Sequence, residues 1–401
     1  MPENCVYMDN HSTTRVDPRV VDAMAPFLTE MYGNPGSTSH PFGWEAKEAI
    51  DTARKSIATS IGAKPREIVF TSGATESNNL AIRGLAERHA NRGKHLISVK
   101  TEHRAVLDPL DRLSRRDFEI TLLDVHLFDS PDVGLVDLDQ LEATIREDTI
   151  LVSIMLANNE IGLLQPIKQV AEICRKKNTF LHVDATQAVG KIPVDVVDLD
   201  VDLMSFSSHK IYGPRGVGAL FVRRRSPQVR LVPLMDGGGQ EGGMRSGTLN
   251  TPGIVGLAKA LQLCDEELSA ETARLATLRN NLFRGLQNSL SDIHLNGPAL
   301  DPVNDEQPMR LAGNLNVAFD FVDGEALMMS MGNLAVSSDS ACTSANPEPS
   351  HVLRAIGRTD DQTRSSLRFG LGRFNTSDDV EFAIQNVSEA VTRLRNLSSM
   401  H

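Results

Sequence analysis

A lysine that forms a Schiff base must be fixed in place and partly dehydrated, so that its amine is free to react. Lys210 meets that requirement. It closes the run Val201-Asp202-Leu203-Met204-Ser205-Phe206-Ser207-Ser208-His209-Lys210 and is followed at once by Ile211-Tyr212-Gly213-Pro214-Arg215-Gly216. One strand unit earlier, Asp184 stands in His182-Val183-Asp184-Ala185-Thr186-Gln187. There it can cap a helix, or face a protonated ring nitrogen and keep the ring an electron acceptor. Lysine and carboxylate together suit pyridoxal phosphate.

Such a cofactor needs a phosphate cup. Thr71-Ser72-Gly73-Ala74-Thr75-Glu76 follows the run Ile68-Val69-Phe70 and opens a helical pattern, so Ala74 and Thr75 fall where backbone N–H groups and the helix dipole favour an anion. Ser207 and His209 can close the cup from the neighbouring strand end. The glycine-rich stretch Gly237 to Thr248 suits a plain linker, or a loop that brings Thr248 to a phosphate across a subunit interface. His103, in Lys100-Thr101-Glu102-His103, offers an imidazole to stack on a planar ring and move protons. Asn159 and Gln187 can hydrogen-bond a ring oxygen; an Asn-Gly turn explains Asn158-Asn159-Glu160-Ile161-Gly162 equally well.

Two further groups concern the substrate. Arg368, in Ser366-Leu367-Arg368-Phe369, continues an apolar run and can clamp a carboxylate, with Arg373 as its rival. Cys342 lies among small residues, Ser338-Asp339-Ser340-Ala341-Cys342-Thr343-Ser344, a composition that predicts a loop exposing the thiol. Cys174 and Cys264 fall inside helical patterns and are expected to be packed thiols; Cys5 is ambiguous. The four cysteines show neither zinc spacing nor a disulfide framework, which fits a reducing compartment.

The elements that position these groups alternate. Strands are expected at Glu67–Phe70, His95–Val99, Glu119–Leu123, Thr149–Ile154, Thr179–Val183 and the run into Lys210, with helices such as Pro166–Lys177 between them. That pattern predicts an α/β fold with a mainly parallel sheet and a site beyond its carboxyl edge. From about Thr251 a long helical stretch reaches Gln287, then strands at Leu315–Phe319 and Ser366–Phe369 suggest a smaller α+β unit. The expected division is 15–260 for a large domain and 1–14 with 261–401 for a small one. The polar, Pro-containing stretch Leu300 to Leu311 is expected to be an exposed loop. A net charge of -11 argues against a role built on nucleic-acid phosphates, and no run of about 18 apolar residues suggests a membrane span. The first residues carry no basic-then-apolar leader pattern, so a cytoplasmic setting is expected.

Ser207 to Gly216, His182 to Gln187, Thr71 to Glu76, Met244 to Thr248 and Ser337 to Ser344 together resemble the cysteine desulfurases, specifically the branch that feeds iron–sulfur cluster assembly. The likeness runs from about Tyr7 to Leu397. It implies the class V aminotransferase group of pyridoxal phosphate fold type I, with a seven-stranded large-domain sheet, and a homodimer. It implies that L-cysteine yields L-alanine while an enzyme persulfide passes sulfur to a scaffold or other acceptor protein for iron–sulfur assembly or tRNA thiolation. Carried over, Lys210 bears the cofactor, Asp184 pairs with its ring nitrogen, Gln187 and Asn159 contact the ring oxygen, and Ala74, Thr75, Ser207 and His209 hold the phosphate. Thr248 reaches in from the other subunit, His103 stacks and assists proton transfer, Arg368 holds the substrate carboxylate, and Cys342 carries the persulfide. No resident metal is implied, though Cys342 is available to ligate a nascent cluster. The family usually has glycine at Asp339 and at Ser208; a carboxylate at 339 is expected to disfavour the Cys342 thiolate. The chain ends at His401, earlier than the familiar bacterial version, which bears on scaffold docking. Competing readings are a selenocysteine lyase or aminotransferase on the same fold, or a sulfur-relay subunit without catalysis.

Overall fold

The computed structural model describes residues 5–300, 309–338 and 349–398. After a two-residue strand, β1 (Val6–Tyr7), the chain builds a seven-stranded sheet from β2 (Ile68–Thr71), β3 (His95–Val99), β4 (Glu119–Leu123), β5 (Thr149–Ser153), β6 (Phe180–Asp184), β7 (Leu203–Ser207) and β8 (Gly218–Val222). The strand order is β2-β8-β7-β6-β5-β3-β4, and only β8 runs antiparallel to its neighbours.

Both faces of this sheet are dry except at the edge strand β4, because alternate residues of the other strands enter different cores. In β8, Ala219 and Phe221 join one core while Leu220 and Val222 join the other. The same alternation separates Leu96 from Ile97 and Leu203 from Met204. Helix Ala74–His89 covers one face with Leu80, Ile82 and Leu85; helix Pro41–Ser60 contributes Ile50, Ala53 and Ile57 to the other. The sequence pattern does not mark β8, since its Gly-Ala start carries no strand signature. Sheet order requires it: β8 alone bridges β2 to β7, and so brings the turn after β2 beside Lys210.

A second core forms around the antiparallel strands β9 (Ile293–Leu295), β10 (Asn314–Phe319) and β12 (Ser366–Gly370), in order β12-β10-β9, with helix Ser377–Ser398 packed on them. β11 (Leu334–Ala335) pairs in parallel with β1, so Met8 is buried in this second core. Helix Thr251–Ser289 belongs to both: Ile254 to Cys264 enter the first core and Leu275 to Leu286 the second. It runs unbroken through residue 260.

One expectation is corrected. Within Leu300 to Leu311, residues 301–308 lie outside the described residues, but Arg310 and Leu311 are buried rather than on an exposed loop. The Arg310 guanidinium donates to the carbonyls of Asn296 and Pro298 and to Asn314 Oδ1, which ties the β9–β10 connection down from inside.

Candidate active site

The carboxyl ends of β2, β3, β5, β6 and β7 open on one cavity of about 560 Å³. Among the residues named from sequence, Ala74, Thr75, His103, Asn159, Asp184, Gln187, Ser207, His209, Lys210 and Arg368 all line it. Residues from positions 74 to 210 meet there because parallel strands deliver their C-terminal turns to the same edge, and Arg368 joins them from β12 of the second sheet.

Asp184 ends β6 and is 5% exposed. Its Oδ2 accepts from Asn78 Nδ2 at 2.7 Å and its Oδ1 from the Thr186 backbone N–H at 2.9 Å. A carboxylate has acceptor capacity beyond these two bonds, so it can also take an N–H from a ring. Lys210 Nζ donates to the carbonyls of His11 at 2.5 Å and Ser12 at 2.7 Å. Gln187 Oε1 accepts from Lys191 Nζ at 2.7 Å, and its amide nitrogen donates to the His11 carbonyl at 2.8 Å.

At the other end, helix Ala74–His89 begins directly after Gly73, whose φ of +150 ends the turn from β2. A side chain at Gly73 would project its Cβ to 3.6 Å from Ser207 Oγ, into the cup. His209 Nδ1 lies 3.1 Å from Thr13 Oγ1. Burial, with the Lys210 and Arg215 cations beside it, pulls the His209 imidazole down to about 4, so it is a neutral hydrogen-bonding group. Ser208 is accommodated because its neighbour is glycine: a Cβ at Gly213 would stand 2.1 Å from Ser208 Oγ.

His103 caps helix Arg104–Ser114, its Nδ1 accepting from the Ala105 backbone N–H at 3.0 Å. Its hydrogen is therefore on Nε2, and burial lowers its basicity, opposed by the Asp184 charge. The residue before it, Glu102, is fully buried, and its Oε1 accepts from Met155 N–H at 2.5 Å. Burial and then the Asp184 charge push this carboxyl well above the usual range, which favours its protonated form.

Of the two arginines, Arg368 lines the cavity and is 3% exposed. Its guanidinium reaches the cavity, donating to Asp9 Oδ1 at 3.2 Å, Ser12 Oγ at 2.8 Å and the Asn159 carbonyl at 3.1 Å. Arg373 instead lies between Asp17 and Glu271, over the Tyr212 ring. Asn158 makes the turn, its Oδ1 accepting from the N–H groups of Glu160 and Ile161, which leaves Asn159 to face the cavity.

Thr248 is exposed and does not line this cavity. Cys342 and Asp339 lie outside the described residues. Pyridoxal phosphate fits what is present. A buried carboxylate with spare lone pairs shares the cavity with a lysine amine, a glycine leaves room at a helix N-terminus, and the buried Thr186 Oγ1 in the wall has no partner within the described residues.

The family described as Aminotransferase class-V matches residues 6–382. A protein named Cysteine desulfurase IscS, from Glaesserella parasuis serovar 5 (strain SH0165), is 52% identical over 98% of this chain and 95% of its own. Another of that name, from Anaeromyxobacter dehalogenans (strain 2CP-C), is 51% identical over 99% of this chain and 95% of its own. The chain belongs to the cysteine desulfurase family. Its activity is therefore the pyridoxal-phosphate-dependent removal of sulfur from L-cysteine. The fold agrees. A solved structure described as a NifS-like protein superposes with a TM-score of 0.87 at 39% identity, covering 97% of this chain and all of its own. A second, described as SspA in complex with cysteine, gives 0.79 at 36% identity over 92% of this chain and 99% of its own.

This desulfurase has cavity-lining residues that sequence patterns did not mark: His11, Ser12, Asn78 and Arg215. Asn78 was visible as one turn into the helix after the Gly-Ala-Thr turn. The stretch Asn10 to Thr14 carries no motif, and only its placement across the end of β7 makes it part of the site.

Proposed function

We propose that Lys210 carries the cofactor, Arg368 holds the carboxylate of L-cysteine, and Cys342 receives the sulfur. The observation that carries this reading is the meeting of Lys210, Asp184, His103 and Arg368 in one cavity. When bound, pyridoxal phosphate supplies an electron sink that weakens bonds at the substrate α-carbon. Asp184 accepts the ring N–H, Gln187 and Asn159 serve the ring oxygen, and the turn at Ala74–Thr75 with Ser207 and His209 holds the phosphate. Arg368 orients the substrate so that its α-hydrogen faces Lys210 Nζ, which takes the proton. His103, neutral with its hydrogen on Nε2, holds the opposite face. The Cys342 thiolate attacks the substrate sulfur; the S–S bond forms as the carbon–sulfur bond breaks, and the three-carbon fragment takes up one proton at its β-carbon and regains the α-proton from Lys210 to leave as alanine.

The same reading includes a homodimer in which the exposed Thr248 completes the partner's phosphate site. It includes an iron–sulfur scaffold or another acceptor protein as the recipient of the persulfide. It places the enzyme in the cytoplasm, consistent with the buried, unpaired thiols of Cys174 and Cys264. We set the divide between large and small domains inside helix Thr251–Ser289, between Cys264 and Leu275, with residues 5–8 on the small side.

The test is alanine and sulfide formation from L-cysteine by the cofactor-loaded protein. Cys342→Ser is expected to abolish sulfide release while the visible cofactor band persists, and Lys210→Ala to abolish the band itself. Full turnover by Cys342→Ser would remove Cys342 from its role.

A further inference from the structure

The segment Asn10–Thr14 crosses the end of β7 and is held at nearly every residue. Thr14 N–H and Oγ1 donate to the His209 carbonyl, Thr13 Oγ1 meets His209 Nδ1, and Ser12 Oγ accepts from Arg368 Nη2. At its centre two successive carbonyls, of His11 and Ser12, converge on Lys210 Nζ at 2.5 and 2.7 Å.

The side chain of His11 fixes this arrangement. A carbonyl only accepts, so the His11 carbonyl at 2.8 Å identifies the facing atom of the Gln187 amide as its nitrogen and leaves Oε1 to accept from Lys191 Nζ at 2.7 Å. His11 Nδ1, 3.1 Å from that same oxygen, must then carry the hydrogen and donate. The Gln187 amide nitrogen donates back to the His11 carbonyl at 2.8 Å. Residue 11 is thus bonded to one amide through both its ring and its main chain, and its carbonyl cannot turn away from Lys210. The ring is 3% exposed, and its Nε2 is buried without a partner among the described residues. A buried imidazole with one nitrogen unpaired is unfavourable for stability alone, which points to a positioning task.

We propose that the His11 and Ser12 carbonyls form a receiving cradle for the Lys210 ammonium, with His11 as its positioning residue. This rests on the assignment of Lys210 as the cofactor-bearing lysine. When the substrate amine takes the place of Lys210, the freed Nζ swings to the two carbonyls. When the substrate Cα–H bond breaks, its proton lands on Nζ and the electron pair passes to the bound cofactor. The resulting ammonium donates to both carbonyls, whose dipoles favour the charged form. The cradle therefore favours the state in which the lysine has been displaced.

The experiment uses cofactor-loaded protein and two amines that displace the lysine without losing sulfur: L-alanine, and glycinamide, which lacks a carboxylate and so does not depend on Arg368. Half-saturation is read from the change in the visible band. His11→Ala is expected to raise it about ten-fold for both amines, the loss of one charge-assisted hydrogen bond. His11→Asn, whose amide can still donate to Gln187 Oε1, is expected to stay within about three-fold of wild type. If His11→Ala fails to fold or load, His11→Phe keeps the ring volume without the donor and is expected to show the same rise. Unchanged half-saturation for both amines overturns the cradle, as does a rise for L-alanine only, which would place the effect on Arg368 through Ser12. A wild-type protein that shows no visible band with pyridoxal phosphate would overturn the Lys210 assignment itself, a separate failure.

Discussion

Three donors converge on one oxygen, Asp9 Oδ1: Arg368 Nη2 at 3.2 Å, Ser12 Oγ at 2.8 Å and Ser337 Oγ at 2.9 Å. Arg368 is almost fully buried, so its direction is set by these contacts and not by water. Asp9→Ala is expected to raise the KM for L-cysteine about ten-fold through loss of one charged hydrogen bond, with kcat changed less and the cofactor band unaltered. Steady-state kinetics beside an absorbance spectrum check this. Glu102 presents a different case, a carboxyl kept neutral by burial. Glu102→Gln preserves both shape and charge state and is expected to change unfolding free energy by under about 1 kcal/mol, whereas Glu102→Leu strands the Met155 N–H and costs about 1–3 kcal/mol. Denaturant titration distinguishes them; equal losses in both variants would contradict a protonated Glu102.

At the scale of elements, the glycine-rich stretch from Gly237 to Thr248 is anchored, which a linker would not be. Glu241, in the left-handed region at φ 51, sends a carboxylate only 2% exposed onto Arg54 and the Phe70 backbone N–H. The Arg54 guanidinium in turn stacks 4.4 Å from the Phe70 ring centroid. Arg245 fastens the far end to Glu76, whose other oxygen accepts from Ser72 N–H in the turn after β2. The stretch is thereby stapled to β2 and to the turn after it. Glu241→Ala leaves Arg54 without its partner and is expected to cost about 3–5 kcal/mol in unfolding free energy, with weaker retention of pyridoxal phosphate on dialysis. Composition showed the glycines but not the staple, since Arg54, Phe70 and Glu241 are brought together only by the fold.

Across the whole molecule, the two cores are joined by helix Thr251–Ser289 and by side-chain bonds such as those of Arg373, Arg368 and Asn314. Arg373, from the second unit, donates to Asp17 at 2.9 Å and Glu271 at 2.9 Å, and its backbone N–H donates to Tyr212 Oη at 2.8 Å. Acid sensitivity also belongs to this scale. Burial holds His182 and His209 at about 4 in the fold, against 6.5 in an unfolded chain, and displaces His11, His95 and His103 in the same direction. Between those values the unfolded chain binds more protons, so stability is full above about 6.5 and is lost as pH falls toward 4. Glu102 acts in the opposite sense, since its raised value favours the folded state on acidification. The histidines outnumber it, so the midpoint of denaturant unfolding is expected to fall steadily between pH 7 and pH 5; a flat profile would contradict the neutral buried histidines.

Sequence by itself determined the elements and the chemistry-bearing types. Apolar runs of β-branched residues specify strands, and both the fully buried β3 and the half-exposed edge strand β4 match their expected bounds residue for residue. Lys210, Asp184 and His103 were legible because each sits in a strand-to-turn transition, where local pattern and site coincide. Only the tertiary structure decided which arginine lines the cavity, that the Glu102 carboxyl is buried, and that the unremarkable stretch Asn10–Thr14 lies against Lys210. Those outcomes depend on burial and on contacts between residues up to some hundreds of positions apart. Local periodicity carries no record of such distances, because it reports which face of an element is dry and not what stands opposite it.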